Sequence, residues 1–502
     1  MSEEQDAPPT PEPPGLPPRR PQDAARRAFD SAYSQADRII DRGQRGVFRL
    51  IWVFLPEPEV ARDLRFQQIL ASRFLSDAGQ QALAYSALVA VVLAGGSAFD
   101  AALVGIAALV PAGLLGLYGG AVADALPRRI AMAMVYNFQA LLCFIVPTFA
   151  GTDLAAIILL VFLVNVLGQV SGPTESAVLP VVASDAQLAT ATSLVHFGSS
   201  LGTGFGTVLL APVLVHAFGV KVAFYVAGVL LLLAASRVFD LPGDTPKPLR
   251  GWRPPEVHVR DAIDWLLQRP AVAAIFAVSI VSGTANIVMQ TLGPRYVQSA
   301  LGIDATAAVY VFAPSAAGLL LALALGPMLM RVWGERIAAL AGFALTGVAL
   351  VLLGAIDGVS DTIEFVNPAR LGELFGVGIS DKVRTAGMIA ALLGFGVSLT
   401  TTSVQTYINR RVPLAYQGRA FALQSTLKNG VAIVPLLTLG GAATAFGVEP
   451  VLIVSPLVLV ALGYGLVLLS FRFAHRAPAS RLEVLSSFWE EPEVAAEGRG
   501  GR

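Results

Sequence analysis

The sequence predicts an all-α membrane protein whose twelve transmembrane helices fall into two six-helix halves, and three observations carry that prediction. Hydrophobic residues make up 55% of the 502-residue chain and charged residues 14%. Soluble domains run at about 45–50% and 25%, so lipid is the solvent that accommodates this excess; the mean hydropathy of +0.66 agrees. Apolar runs of about 20 residues, long enough to cross a hydrocarbon core, recur along the chain. A short charged motif and a helix ending each occur once per half.

Taken in order, the runs are 67–95, 99–123, 129–150, 154–177, 189–216, 219–239, 271–294, 304–331, 336–356, 385–409, 418–446 and 449–473. Several are rich in small residues, which let helix backbones approach closely in lipid. The fifth carries a ridge of Gly198, Gly202 and Gly206, with Gly204 beside it. It ends His216-Ala-Phe-Gly219-Val-Lys221, and the eleventh ends Thr444-Ala-Phe-Gly447-Val-Glu449, each followed at once by another apolar run. Such a repeat predicts two parallel bundles, 66–240 and 271–475, with a Pro-rich linker at 241–270. Residues 1–65 read as an N-terminal arm, partly disordered, and 476–502 as a polar tail. Within the arm, the run Val47 to Leu55 is too short to span; it reads either as an interfacial helix or as a helix packed under the spans. No short apolar signal core is expected in the Pro-rich N-terminal stretch.

Lys and Arg placement sets the orientation. The arm carries Arg26, Arg27, Arg38, Arg42, Arg45 and Arg49, and the linker carries Lys247, Arg250, Arg253 and Arg260. Arginines also follow spans two, eight, ten and twelve, whereas the loops after spans one, three and eleven have neither Lys nor Arg. Arg370, Lys382 and Arg384 after span nine break the alternation, but five acids accompany them. Both termini are therefore expected in the cytoplasm, with the chain a multi-pass protein of the cytoplasmic membrane. Near-zero net charge argues against a nucleic-acid partner. The single Cys143 excludes an intrachain disulfide and a Cys-rich metal site, and no cofactor or metal is expected.

Ionisable groups inside spans are costly and mark candidate sites. Arg73 and Asp77 lie four apart on one face of span one; they are either a proton-binding carboxylate with its counter-charge or a boundary ion pair. Glu175 closes span four, as a proton site or a solvated helix end. His196 in span five titrates near neutral pH or is satisfied in a packing face. Lys428 is sharper: ten residues into span eleven, at about 1.5 Å each, it lies about 15 Å deep and needs an acid, a lowered pKa or an anionic substrate group. Asn165 with Gln169, and Asn286 with Gln290, are i,i+4 polar pairs that line a cavity or join helices.

Between spans two and three stands Gly120-Ala-Val-Ala-Asp124-Ala-Leu-Pro-Arg128-Arg129, and between spans eight and nine a weaker copy, Gly326-Pro-Met-Leu-Met-Arg331-Val-Trp-Gly334-Glu-Arg336. A carboxylate and two guanidiniums suit a hairpin in the headgroup layer. The spacing resembles the loop between helices two and three of the major facilitator superfamily. Ser76-Asp-Ala-Gly79, Gly172-Pro173 with Leu179-Pro180, and Val412-Pro413 with Gly418-Arg419 look like its multidrug and macrolide efflux branch, the drug:proton antiporters, which resembles siderophore exporters and lysophospholipid flippases. That likeness implies the major facilitator fold, and a latch in which Asp124 meets the first-turn amides of span eleven near Gln417 and Gly418. It also implies alternating access with substrate bound between the halves. Two departures stand out: the branch's Gly-Pro step in span five is Gly202-Thr203 here, and span four has no arginine between Asp153 and Glu175.

The expected function is secondary active export of a small amphipathic or hydrophobic molecule, coupled to protons as the partner ion, by a monomer and not by an enzyme. A lysophospholipid or other lipid-like substrate is the alternative within transport; a non-transporting membrane sensor, resting on the long arm, is the alternative outside it.

Overall fold

The computed structural model describes residues 62–125, 127–182, 188–238, 270–304, 309–363, 380–411 and 414–473. The arm, the linker, most of the loop after span nine and the tail lie outside them, as does the Val47–Leu55 segment. Ten of the helices are long and apolar enough to cross a membrane. Two differences reconcile ten with twelve. Span one, Leu64–Leu93, is a 30-residue helix whose Arg73, Asp77, Gln80 and Gln81 dilute its apolar content. Spans eight and nine form one helical run, Val309–Gly354, that turns at Gly334 (φ 78°, ψ 160°). Only glycine adopts that conformation without strain.

The remaining spans follow the expected order with extended ends. They are Ala98–Ala125, Arg128–Ile145 continuing as a π-helical turn Val146–Ala150, Leu154–Val182 and Val220–Val238. In the second half stand Pro270–Ser299, Asp381–Arg411, Leu414–Phe446 and Val448–Phe473. Span five is interrupted: Leu188–Gly204, then a π-helical stretch Phe205–Leu210, then Ala211–Phe218. A short helix, Ile356–Ile363, follows span nine where a plain loop was expected. Span eleven begins at Leu414 rather than near Gly418, so its first-turn amides lie about one turn earlier than the latch expectation assumed.

Packing repeats between the halves. The span-five ridge seats on span one: a Cβ on Gly198 would lie 2.5 Å from Leu70 Cδ1, one on Gly202 2.6 Å from the Phe74 carbonyl oxygen, and one on Gly206 2.4 Å from that of Ala78. Positions 70, 74 and 78 share one helical face, as 198, 202 and 206 do. In the second half, span seven meets span eleven in the same relation, at Gly283 and Lys428. Span one meets span six at Gly79, and span seven meets span twelve through Val281 and Gly463. Spans eight and nine clasp span ten with the closest approaches, Gly318 on the Ala391 carbonyl, Gly394 on that of Ser315, and Gly342 against Gly396. Without a hydrophobic effect between helices in lipid, such backbone contact is what dispersion requires.

The halves share a core. Tyr85 and Val89 of span one, Met289 and Leu292 of span seven and Leu436 of span eleven belong to one buried cluster, and the spans pack as one compact unit from Asp63 onward. Spans two and eleven meet along the end remote from the Asp124 loop: the Phe99 amide donates to Thr444 Oγ1 at 2.9 Å, Gly440 faces Ala102, Gly105 faces Leu436 and Gly113 faces Gly430. Two apolar grooves lie on the outside. One, of about 580 Å³, is lined by Met134, Phe138, Leu141 and Leu232 of spans three and six; the other, of about 400 Å³, by Phe343, Val348, Pro456 and Val460 of spans nine and twelve. Their apolar linings suit contact with acyl chains.

Candidate functional site

The first half holds a charge cluster whose Glu175 and Tyr136 are buried and whose Arg73 and Asp77 are half-buried. Arg73 lies 9 residues into span one, and its Nε forms an ion pair with Asp77 Oδ2 at 2.8 Å. Its other guanidinium nitrogens reach across to Glu175 of span four and to Ser199 Oγ of span five at 3.4 Å. Glu175 also accepts from the Tyr136 hydroxyl of span three. One arginine therefore ties spans one, four and five, and one carboxylate ties spans one, three and four.

Burial changes two sequence readings. Glu175 is 4% exposed, because the helix runs on to Val182; it is not a solvated helix end. Arg73, about 13 Å along its helix at 1.5 Å per residue, is bound on two sides by acids and so is more than a boundary pair. Removing Arg73 leaves the buried Glu175 charge uncompensated, at a cost of up to about 3–5 kcal/mol. The sequence brought Arg73 and Asp77 together but kept Glu175 separate. Tyr136, Ser199 and the Gln80–Gln139 amide pair at 3.4 Å went unread, since a tyrosine or glutamine within an apolar run carries no signal until its neighbours are known. Gln139 is fully buried and donates to the Val164 carbonyl of span four at 2.9 Å.

Other expected site residues are dispersed. Asn165 and Gln169 turn back to their own helix, donating to the Val161 and Asn165 carbonyls at 2.8 and 3.1 Å, and neither bonds to another helix among the described residues. Asn286 and Gln290 are half-buried on span seven. His196 lies in span five, and Gly120 and Asp124 near the end of span two, but their side chains lie outside the described set. Arg128 and Arg129 begin span three, half-buried.

The second charged motif folds onto its own half. Arg331 is exposed, Gly326 is buried, and Gly334 makes the turn. Arg336 is 6% exposed, with its guanidinium 5.7 Å from the Tyr407 ring centroid of span ten, a cation–π contact. Glu335 pairs with Arg410, also of span ten. Among the described residues no cluster of His, Cys, Asp and Glu suits a metal ion.

Long apolar helices in two similarly packed halves, with the Arg73–Glu175 ion pair set between helices, define a multi-pass membrane transporter. The family profile of the Major Facilitator Superfamily matches residues 46–435. The chain belongs to that superfamily. No curated protein matches it. Among solved structures, it is similar to a point-mutant form of the nucleoside transporter NupG, with a TM-score of 0.62 at 14% identity over 82% of this chain and 100% of that one. A bacterial homolog of the human lysosomal transporter Spinster, inward-facing and unoccupied, gives a TM-score of 0.60 at 14% identity over 86% and 100%. The POT family transporter PepTSo gives 0.58 at 13% identity over 85% and 99%. At these identities the likeness concerns the fold.

Proposed function

We propose that the chain exports a small amphipathic or hydrophobic molecule by alternating access, driven by proton entry, and that Glu175 binds the proton. The observation that carries this reading is the interhelical set of Arg73, Asp77, Glu175 and Tyr136. Protonating Glu175 cancels its charge, so the attraction that draws span four to Arg73 weakens. Arg73 then keeps Asp77 as its sole carboxylate within the set. A proton thereby alters how span four is held against span one, which is the kind of differential contact a two-state transporter requires.

The contacts between spans two and eleven support this scheme. With both termini in the cytoplasm, these contacts lie on the extracellular side, as an inward-facing state of the proposed cycle requires. Asp124, with Arg128 and Arg129, and the second motif through Arg331 and Arg336, would stabilise the opposite state by closing the cytoplasmic side. Asp124 would face the amides that open span eleven, where a carboxylate complements the helix dipole.

Everted vesicles or proteoliposomes with an imposed pH gradient test the coupling. Wild type should accumulate at least one compound of an amphipathic panel in a gradient-dependent way. Glu175→Gln should still bind that compound but lose gradient dependence, and Asp77→Asn should weaken it. Gradient-driven uptake equal to wild type in both variants would remove the cluster from the mechanism.

A further inference from the structure

Lys428 stands apart from the charge cluster. Its helix, Leu414–Phe446, has its midpoint at residue 430, so the side chain leaves the backbone near mid-bilayer. The stem lies on Gly283 of span seven: a Cβ there would sit 2.4 Å from Lys428 Cδ and 2.6 Å from Cγ. A side chain at 283 would displace the lysine stem from this seat. One turn earlier, Gln424 donates to Ser279 Oγ, which fixes the register of the two helices. Two residues beyond Lys428, at nearly the same depth but on another face of the helix, Gly430 meets Gly113 of span two, so the lysine's depth is that of a contact between the halves. On span seven, Asn286 and Gln290 follow Gly283 at i+3 and i+7, on the same helical face; both are half-buried.

No carboxylate pairs with Lys428 among the described residues, and no hydrogen bond to it is made there. Among the described acids, Asp77 and Glu175 pair with Arg73, Asp100 accepts from Ser97, and Asp357, on the short helix after span nine, pairs with Lys382. An ammonium at this depth is stabilised by water and by anions, and a point charge on a flexible stem suits a carboxylate or phosphate. An apolar span around a single charge matches an amphipathic molecule's body and head.

We infer that Lys428 is a substrate-binding residue for the anionic head group, a carboxylate or a phosphate monoester, of an amphipathic molecule, with Asn286 and Gln290 as neutral polar contacts. This inference rests on the transport reading above and narrows its substrate class. A free inorganic anion would satisfy the same ammonium, and the test separates the two.

The full-length protein in nanodiscs of zwitterionic lipid is titrated with dodecyl phosphate, dodecyltrimethylammonium and inorganic phosphate, with protein-free discs subtracted. Wild type should bind dodecyl phosphate about tenfold or more tightly than the cationic amphiphile, a difference of one decade in dissociation constant. Lys428→Met should abolish the preference and Lys428→Arg should retain most of it. Gly283→Ala, which keeps the charge but displaces the stem, should weaken anion binding several-fold. Gel-filtration profiles establish that each variant is folded; should Lys428→Met fail, Gly283→Ala and Lys428→Arg still decide. Equal anion preference in Lys428→Met and wild type overturns the inference. So does inorganic phosphate binding as tightly as dodecyl phosphate, which would assign a free-anion site. Failure of export is read separately: a wild type that moves no compound across vesicles refutes the transport direction and coupling, whereas one that moves compounds but shows no anion preference refutes only the role of Lys428.

Discussion

Alanine substitutions along span five separate close backbone approach from ordinary helix composition. Ordinary contact to a Cβ begins near 3.4 Å; the Cβ of Gly202→Ala would stand 2.6 Å from the Phe74 carbonyl oxygen, and that of Gly206→Ala 2.4 Å from the Ala78 carbonyl oxygen. Both partners are backbone of a packed helix, so spans one and five must part by roughly 0.8 and 1.0 Å, or tilt. Overpacking of this kind costs about 1–3 kcal/mol, a roughly 5- to 150-fold shift in the unfolding equilibrium. Gly198→Ala is the contrast, because its Cβ meets Leu70 Cδ1 at 2.5 Å, the end of a side chain that can change rotamer; the cost should stay below about 1 kcal/mol. Gly204→Ala is the control: nothing lies within 4 Å of its Cβ, and alanine's higher helix propensity should make it neutral or stabilising by up to about 1 kcal/mol. The single thiol provides the assay. Cys143 is fully buried in span three, so its labelling by a fluorogenic maleimide in detergent reports opening of the bundle. The expected order of labelling midpoints is Gly204→Ala at or above wild type, Gly198→Ala slightly below, then Gly202→Ala and Gly206→Ala lowest. A Gly206→Ala midpoint at or above that of Gly198→Ala would refute the argument from backbone contact.

Two further predictions use the charge cluster and the contacts between spans two and eleven. Arg73→Met leaves Asp77 and Glu175 without their cation and should destabilise the protein by up to about 3–5 kcal/mol in the same thiol assay; adding Glu175→Gln to it should recover part of that loss, and a fully additive double variant would show that the pair is not coupled. In a Cys143→Ser background, Ala102→Cys with Gly440→Cys should cross-link under mild oxidation, since the side-chain positions abut across the halves; the linked protein should stop transporting and recover on reduction, and undiminished transport would show that this contact persists in every state.

Much of the fold was written in the chain. Apolar run length set the helices, because a bilayer tolerates no unsatisfied backbone and so permits few alternatives. The Ala-Phe-Gly endings at Gly219 and Gly447 marked equivalent turns, and both glycines have positive φ, 83° and 90°, where a side chain would strain the backbone. Span edges moved by a few residues because helical backbone continues past the expected ends of the runs, as at Leu414 and Val182. The pairing of Arg73 with Asp77 was legible because an i,i+4 relation is local.

The sequence by itself determined a membrane-embedded, twelve-span chain of two related halves, with a charged hairpin motif in each. Only the tertiary structure decided that Glu175 of span four belongs to Arg73 of span one, that Tyr136 and Ser199 complete the cluster, and that Gly283 seats Lys428. Hydrophobicity is a property of each residue and survives in one dimension. Partnership between buried charges depends on which helix faces meet, and those are chosen by small-residue contacts between segments far apart in the chain.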